Sequence, residues 1–490
     1  MNGRGEPRPG EEAQPMKTEY DASIVGAGPN GLAAAVTLAS RGLRVILFEG
    51  AATIGGGTRT QELTLPGFHH DVCSAIHPMA IASPFFRKLA LEDHGLEWIQ
   101  PEFPLAHPLD GGRAVILERS LLKTAERLGA DREAYLGLFA HLVQFWDELD
   151  CELLGPLSVP RNPVELARFG LKALIPASFL LRHTFAGEEA RALLAGVSSH
   201  AVIPLNRSPS MAVGLVLTAA AHTGGWPMAR GGSQSVANAL ASLFRSLGGE
   251  IVCSHPIHRL EDLPPTRLKL LDVTPRQLIE MAGTQLEGHY LRQLQSFRYG
   301  PGVFKIDYAL DGPVPWTNPE VARAGTVHLG GTLEELAESE RCAWAGVICR
   351  RPYVLVAQHS LFDDTRAPSG KHTLWAYCHV PHGSTQDCTQ AIENQLERFA
   401  PGFGKLVLAR STHNAPQMHD YNPNYIGGDI GGGAMILSQL FTRPVLRYNP
   451  YSTPIRGLYL CSSSTPPGGG VHGMCGHHAA LSAWRKEFDE

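Results

Sequence analysis

The chain has 490 residues, is 43% hydrophobic and 18% charged, and carries a formal net charge of −5. That length allows two or three domains with a large buried core. The mild acidity and the lack of a basic run exclude a nucleic-acid partner. No apolar stretch is long enough to span a bilayer. The nine cysteines are scattered with no C-x-x-C pair. This spacing excludes a dithiol flavoenzyme and a zinc site, and points to a reducing, cytoplasmic setting.

Residues 1–18 are polar and rich in Pro and Gly, which predicts a disordered leader without the apolar core of a secretory signal. From Asp21 to Glu49 a complete strand–turn–helix–strand unit follows. Ser23, Ile24 and Val25 form an apolar strand end, Gly26, Gly28 and Gly31 spell G-x-G-x-x-G, Leu32 to Ser40 is Ala-rich, and Val45 to Phe48 is a second buried strand. The first glycine permits the turn, the second admits a pyrophosphate, and the third lets the helix approach the strand. The helix N-terminus supplies positive charge, and Glu49 can accept from an adenosine ribose.

Residues 84–223 read as mainly helical, with the apolar run Met211 to Ala221 as a buried helix. Gly231 to Ser233 opens a helix over 234–247, and strands are predicted at 250–253 and 267–272. Ile257 falls on a short extended piece between them. Alternating apolar residues at 303–310, 353–359 and 372–380 predict a sheet that floors a cavity. A helix is expected at 386–399, a last core strand at 457–461, and a final helix from Val471 to about Trp484. The domains expected are 19–83, 224–300 and 410–490 for nucleotide binding, with 84–223 and 301–409 holding substrate.

Two further glycine clusters decide between dinucleotides. Gly55, Gly56 and Gly57 follow Glu49, and Gly468, Gly469 and Gly470 precede the last helix. NAD needs only the first glycine loop. FAD extends further, and a second helix N-terminus stabilises negative charge on its reduced ring. FAD is therefore the expected cofactor. No second strand–G-x-G-x-x-G–helix exists for NADPH, so electrons leave to oxygen, a quinone or another carrier, or no net redox change occurs.

GAGPNGLAAA, LFE, IGGG, WPMARGGSQSVANALASLFRSLGGEI and TPIRGLYLCSSSTPPGGGVHGMCGHHAA together resemble the phytoene-desaturase-like flavoproteins of the amine-oxidase and retinol-saturase superfamily. The resemblance implies an α/β fold of the glutathione-reductase type: a Rossmann-like FAD-binding domain with an inserted helical and β-sheet substrate domain. It implies that Gly26, Ala27, Gly28, Asn30 and Gly31 meet the pyrophosphate and Glu49 the ribose. Gly55, Gly56 and Thr60 would line the path to the flavin, Ile257 the adenine side, and Ser463, Gly470, Val471 and His472 the ribityl chain and ring. The superfamily often has arginine directly after its paired glycines; here Gly57 stands there and Arg59 is displaced by two.

His472 is the candidate acid–base residue, with a helix cap as its structural alternative. His69, His70 and Asp71 read as a satisfied loop rather than a metal site. Trp375, Tyr377 and His379 share one strand face and suit either an aromatic wall or core packing. Arg161, Arg168, Lys172, Arg182 and His183 flank apolar residues in a stretch that suits a packed helix or a peripheral membrane contact. The resemblance implies hydride transfer to or from a carbon of an apolar isoprenoid, polyene or lipid-like substrate. Two alternatives stay open: an amine oxidase, with Lys305 as its lysine, and a non-catalytic flavin-binding partner.

Overall fold

The computed structural model describes residues 19–488, so the expected leader lies outside the described residues. Five parallel strands form one sheet in the order Leu458–Leu460, Leu268–Leu271, Ala22–Val25, Val45–Phe48, Glu250–Val252. Read by position, this is the doubly wound order in which the first strand sits centrally and the direction of winding reverses beside it. Ligands bind at that reversal, outside the carboxyl ends of the strands.

Gly31 shows why the first helix, Pro29–Ala39, can pack there: a Cβ on it would lie 1.8 Å from the Gly26 carbonyl oxygen. The last helix, Met474–Phe488, crosses the first through small residues. A Cβ on Gly476 would lie 1.8 Å from the Asn30 carbonyl oxygen, and Ala479, Ala480 and Ala483 are fully buried beside it. This close crossing brings the N-termini of both helices to one place. The last helix starts at Met474, not Val471, because residues 471–473 are spent on a turn that ends in left-handed Gly473 (φ 67°).

The second sheet has seven strands, in the order Val407–His413, Gly302–Leu310, His372–Val380, Val354–Ala357, Ala324–Leu329, Phe103–Pro108, Ala114–Leu117. It is antiparallel except where Phe103–Pro108 meets Ala324–Leu329. The region 84–223 is therefore not purely helical: two of these strands come from it. Phe103–Pro108 is buried throughout and contains two prolines, so neither alternation nor composition marks it as a strand. The extended piece expected at 256–260 is loop. Helices at Arg132–Gln144, Trp146–Leu153, Pro163–Ala173, Glu188–Ser198 and Ser210–Thr223 cover one face of this sheet. Leu374, Ala376 and Cys378 point to the other face and its separate core, as the two-residue period requires. Among the described residues, no helix is long and apolar enough to cross a membrane.

Candidate functional site: a cleft between the two sheets

One cavity of about 1330 Å³ runs between the two sheets. At one end its wall is the winding reversal: Gly26, Gly28, Asn30, Glu49, Gly56, Ile257 and Asp272. Ser463, Gly470, Val471 and His472 come from the turn before the last helix. At the other end the wall is apolar: Ala212, Val213 and Val216 from one helix, Phe169 and Ala173 from another, and Leu355, Trp375 and Tyr377 from the sheet.

The glycine end is built by backbone. Gly26 (φ 96°) donates its N–H to Phe48 O at 2.7 Å, which ties the loop to the second strand. Gly56 packs so closely on Gly28 that a Cβ there would sit 3.0 Å from the Gly28 Cα. Glu49 is buried; it accepts from the N–H of Ala27 at 2.8 Å and of Ala51 at 2.9 Å and pairs with Arg59 at 3.2 Å. Arg59 also donates to Thr53 O at 2.9 Å, so the displaced arginine braces Glu49. Gly57 is explained as well: a side chain on it would meet Tyr425 Oη at 2.2 Å. Tyr421 Oη donates to Gly56 O at 2.7 Å and Asn424 donates to Asp272 O at 2.8 Å, so residues 421–425 close over the loop.

Four expected site residues do not line the cavity. Ala27 and Gly31 lie behind its wall, Gly55 donates to Ala27 O at 2.8 Å, and Thr60 donates to Asp71 at 2.7 Å. They brace the loop from behind its wall. His472 does line it, but its Nδ1 accepts the Met474 N–H at 3.0 Å, and burial lowers its pKa to about 4. The ring is neutral near pH 7 and caps the first turn of the last helix. Tautomer and cap follow from that one bond.

The sequence reading missed Asp272. It follows the Leu268–Leu271 strand and accepts the Gly31 N–H at 3.0 Å. Burial, with Glu49 nearby, raises its pKa to about 7, partly offset by that bond. The raised pKa reduces the negative charge that Asp272 presents to an adjacent phosphate. Asn30 Oδ1 is buried without a partner on this wall. An unpartnered buried polar atom, a loop with no side chains in the way, and Glu49 at the strand end together fit an adenine dinucleotide. The only sequence signal for Asp272 was its place just before a Thr-Pro helix start.

At the apolar end, Trp375 and Tyr377 face the cavity with rings 5.0 Å apart, whereas His379 turns to Glu340, to which its Nδ1 is bonded at 2.8 Å. His200 also lines the cavity; burial lowers its pKa to about 3, and its Nε2 meets His328 Nε2 at 3.0 Å. Lys305 does not reach the cavity; it is buried in an ion pair with Asp307. His70 and Asp71 lie on a short strand, and Asp71 is buried against Arg366 and His359. Among the described residues, no group of three or more His, Cys, Asp or Glu side chains is placed to hold a metal ion.

Comparison with known proteins agrees with this arrangement. The NAD(P)-binding Rossmann-like domain family matches residues 24–89. A phytoene desaturase (neurosporene-forming) of Rhodobacter capsulatus is 21% identical over 93% of this chain and 92% of its own length. The similarity to this phytoene desaturase thus runs over nearly the whole of both chains. The chain is also 26% identical to the rat pyridine nucleotide-disulfide oxidoreductase domain-containing protein 2, over 96% of this chain and 94% of that protein. In fold, the chain matches an oxidoreductase from Methanosarcina mazei (TM-score 0.66, 16% identity, 95% of this chain and 99% of that one). It likewise matches putrescine oxidase bound to putrescine (TM-score 0.60, 18% identity, 96% and 98%).

Proposed function

We propose that the protein is an FAD-dependent oxidoreductase acting on a carbon of an apolar substrate, of the desaturase, saturase or isomerase type. The observation that carries the reading is the single cavity that joins a dinucleotide cradle to an aromatic and aliphatic wall. FAD rather than NAD is favoured because the turn before the second helix faces the same cavity as the first. Gly28, Gly56 and Asn30 would hold the pyrophosphate, and Glu49 the ribose. Ser463 and Val471 would lie along the ring end. Bound there, FAD would supply two-electron hydride chemistry.

The chain's own residues bind and shield. Val213, Val216, Leu355 and Trp375 would exclude water from the reacting carbon, and His200 and Tyr377 stay uncharged, so this inner wall carries no charge of its own. The absence of lysine from the cavity wall among the described residues weighs against an amine oxidase.

The test is anaerobic mixing of the FAD-loaded protein with isoprenoid and polyene lipids or with a panel of mono- and diamines. Bleaching of the flavin by an unsaturated or saturated hydrocarbon, or reoxidation of reduced flavin by a polyene, supports the proposal. Bleaching by amines alone defeats it. Flavin that photoreduces yet responds to neither set favours a non-catalytic partner.

A further inference from the structure

We propose that the substrate carries a hydroxyl group, and that His200 Nδ1 accepts a hydrogen bond from it inside the apolar branch. The inference rests on the reading of that branch as the substrate site. It adds to a largely apolar wall a polar contact that fixes how a long chain lies within it.

A row of three histidines runs back from the cavity wall. His200, just after the helix Glu188–Ser198, lines the cavity and is half-buried. Its Nε2 meets His328 Nε2 at 3.0 Å. His328 and His107 are fully buried on the neighbouring parallel strands Ala324–Leu329 and Phe103–Pro108, each one residue beyond the Val327–Ala106 pair. Gly196 makes room for both rings: a Cβ there would lie 2.8 Å from His328 Nδ1 and 3.0 Å from His107 Nδ1.

The polarity of the row is set at its far end. His107 Nε2 lies 2.7 Å from Gly331 O, and a carbonyl only accepts, so His107 carries its proton on Nε2 and Nδ1 is bare. His328 Nδ1 and His107 Nδ1 are both buried without a hydrogen-bond partner and border the same spot beside Gly196. Two bare nitrogens there would repel, so His328 carries its proton on Nδ1. His328 Nε2 then accepts, and His200 donates to it through Nε2. That leaves a lone pair on His200 Nδ1, which has no partner among the described residues and, unlike the other two Nδ1 atoms, is open to the cavity. Burial keeps all three rings neutral near pH 7: it lowers the pKa of His107 to about 4, of His200 to about 3, and that of His328 as well.

The lone pair calls for a donor, and its neighbourhood selects a hydroxyl. Thr326 stands two residues before His328 on the same strand face and also lines the cavity. Its Oγ1 accepts from Trp226 Nε1 at 2.8 Å and donates to no described residue, so its proton is left for a ligand oxygen. A hydroxyl both donates and accepts. An ether cannot donate to His200. An ammonium cannot accept from Thr326, and His200 pairs with no carboxylate that would offset the charge.

The experiment is equilibrium dialysis of the FAD-loaded protein against geranylgeraniol, its methyl ether and the corresponding primary amine. The alcohol should bind about tenfold more tightly than the ether. His200→Gln keeps an amide donor for His328 but removes the lone pair, so it should bring the alcohol down to the affinity of the ether, with melting and flavin content unchanged. Nitrogen NMR of isotope-labelled histidine rings, assigned with that variant, should place the His200 proton on Nε2. A proton on Nδ1, equal binding of alcohol and ether, an alcohol affinity untouched by His200→Gln, tighter binding of the amine, or no binding of any of the three overturns the proposal. Preference for the alcohol in folded protein that takes up no FAD would sink the oxidoreductase reading and leave the His200 contact standing. FAD-loaded protein that bleaches with hydrocarbons yet does not prefer the alcohol would do the reverse.

Discussion

The two ends of the cavity are made in different ways. At the dinucleotide end the wall is backbone and glycine, set by strand register and by two helices that cross through small residues. At the apolar end the wall is side chains gathered from helices, sheet and loops spread from residue 153 to 448. The first end tolerates almost no change in covalent structure, because a Cβ in the wrong place meets main chain. The second tolerates changes in shape and volume but determines what fits. A scaffold of this kind keeps its cofactor while its substrate varies.

The sharpest way to break that contrast is one substitution made at both ends. Gly31→Ala places a Cβ 1.8 Å from a main-chain oxygen, so soluble protein should fail to retain FAD, or no folded protein should be recovered. Gel filtration followed by an absorbance spectrum reads this directly.

Acid should collapse both ends together. His77, His107, His359 and His472 are buried with pKa values lowered to about 4, and His70 and His200 to about 3, in each case chiefly by burial. The folded state refuses protons that the unfolded chain accepts below pH 6.5. Stability is therefore complete above that pH and is lost as pH falls through it. Each such group removes about 1.4 kcal/mol per pH unit. Asp272 acts in the opposite sense: its raised pKa costs stability as pH rises from 3.8 toward about 7. The histidines outnumber it, so the melting midpoint should fall steeply between pH 6.5 and 5, as calorimetry can show.

Glu49→Gln is a milder change at the dinucleotide end. It leaves Arg59 without its carboxylate and weakens the acceptor of two N–H groups. FAD affinity should fall about tenfold to a hundredfold, measured by titration.

Val216→Trp is the matching change at the apolar end. Flavin content and its spectrum should not move, while response to a long hydrocarbon is lost by filling the branch.

The smallest effect is Gly170→Ala, in the helix Pro163–Ala173. A Cβ there meets nothing within 4 Å, so thermal melting should show stabilisation of about 0.5–1 kcal/mol, the reverse of Gly31→Ala.

The same contrast explains what could be read from sequence. The strand at Val45–Phe48 stands where its apolar run placed it, because local spacing encodes backbone geometry; the alternation that marked Val303 to Leu310 likewise yields Gly302–Leu310. Ala324–Leu329, fully buried but containing Gly and His, showed no alternation and was missed. The sequence showed Arg59 displaced by two from its usual place, and only the position of Tyr425 shows why Gly57 stands there instead. Asp272 gained meaning from its parallel neighbour strand, a contact more than 240 residues away in sequence.

The central claim is that two helix N-termini at one cavity hold a dinucleotide longer than a single glycine loop needs. The direct measurement is titration of the purified protein with FAD and with NAD⁺, followed by gel filtration. The account predicts that FAD is retained at one equivalent and NAD⁺ is not; retention of NAD⁺ with exclusion of FAD by the folded protein would contradict it.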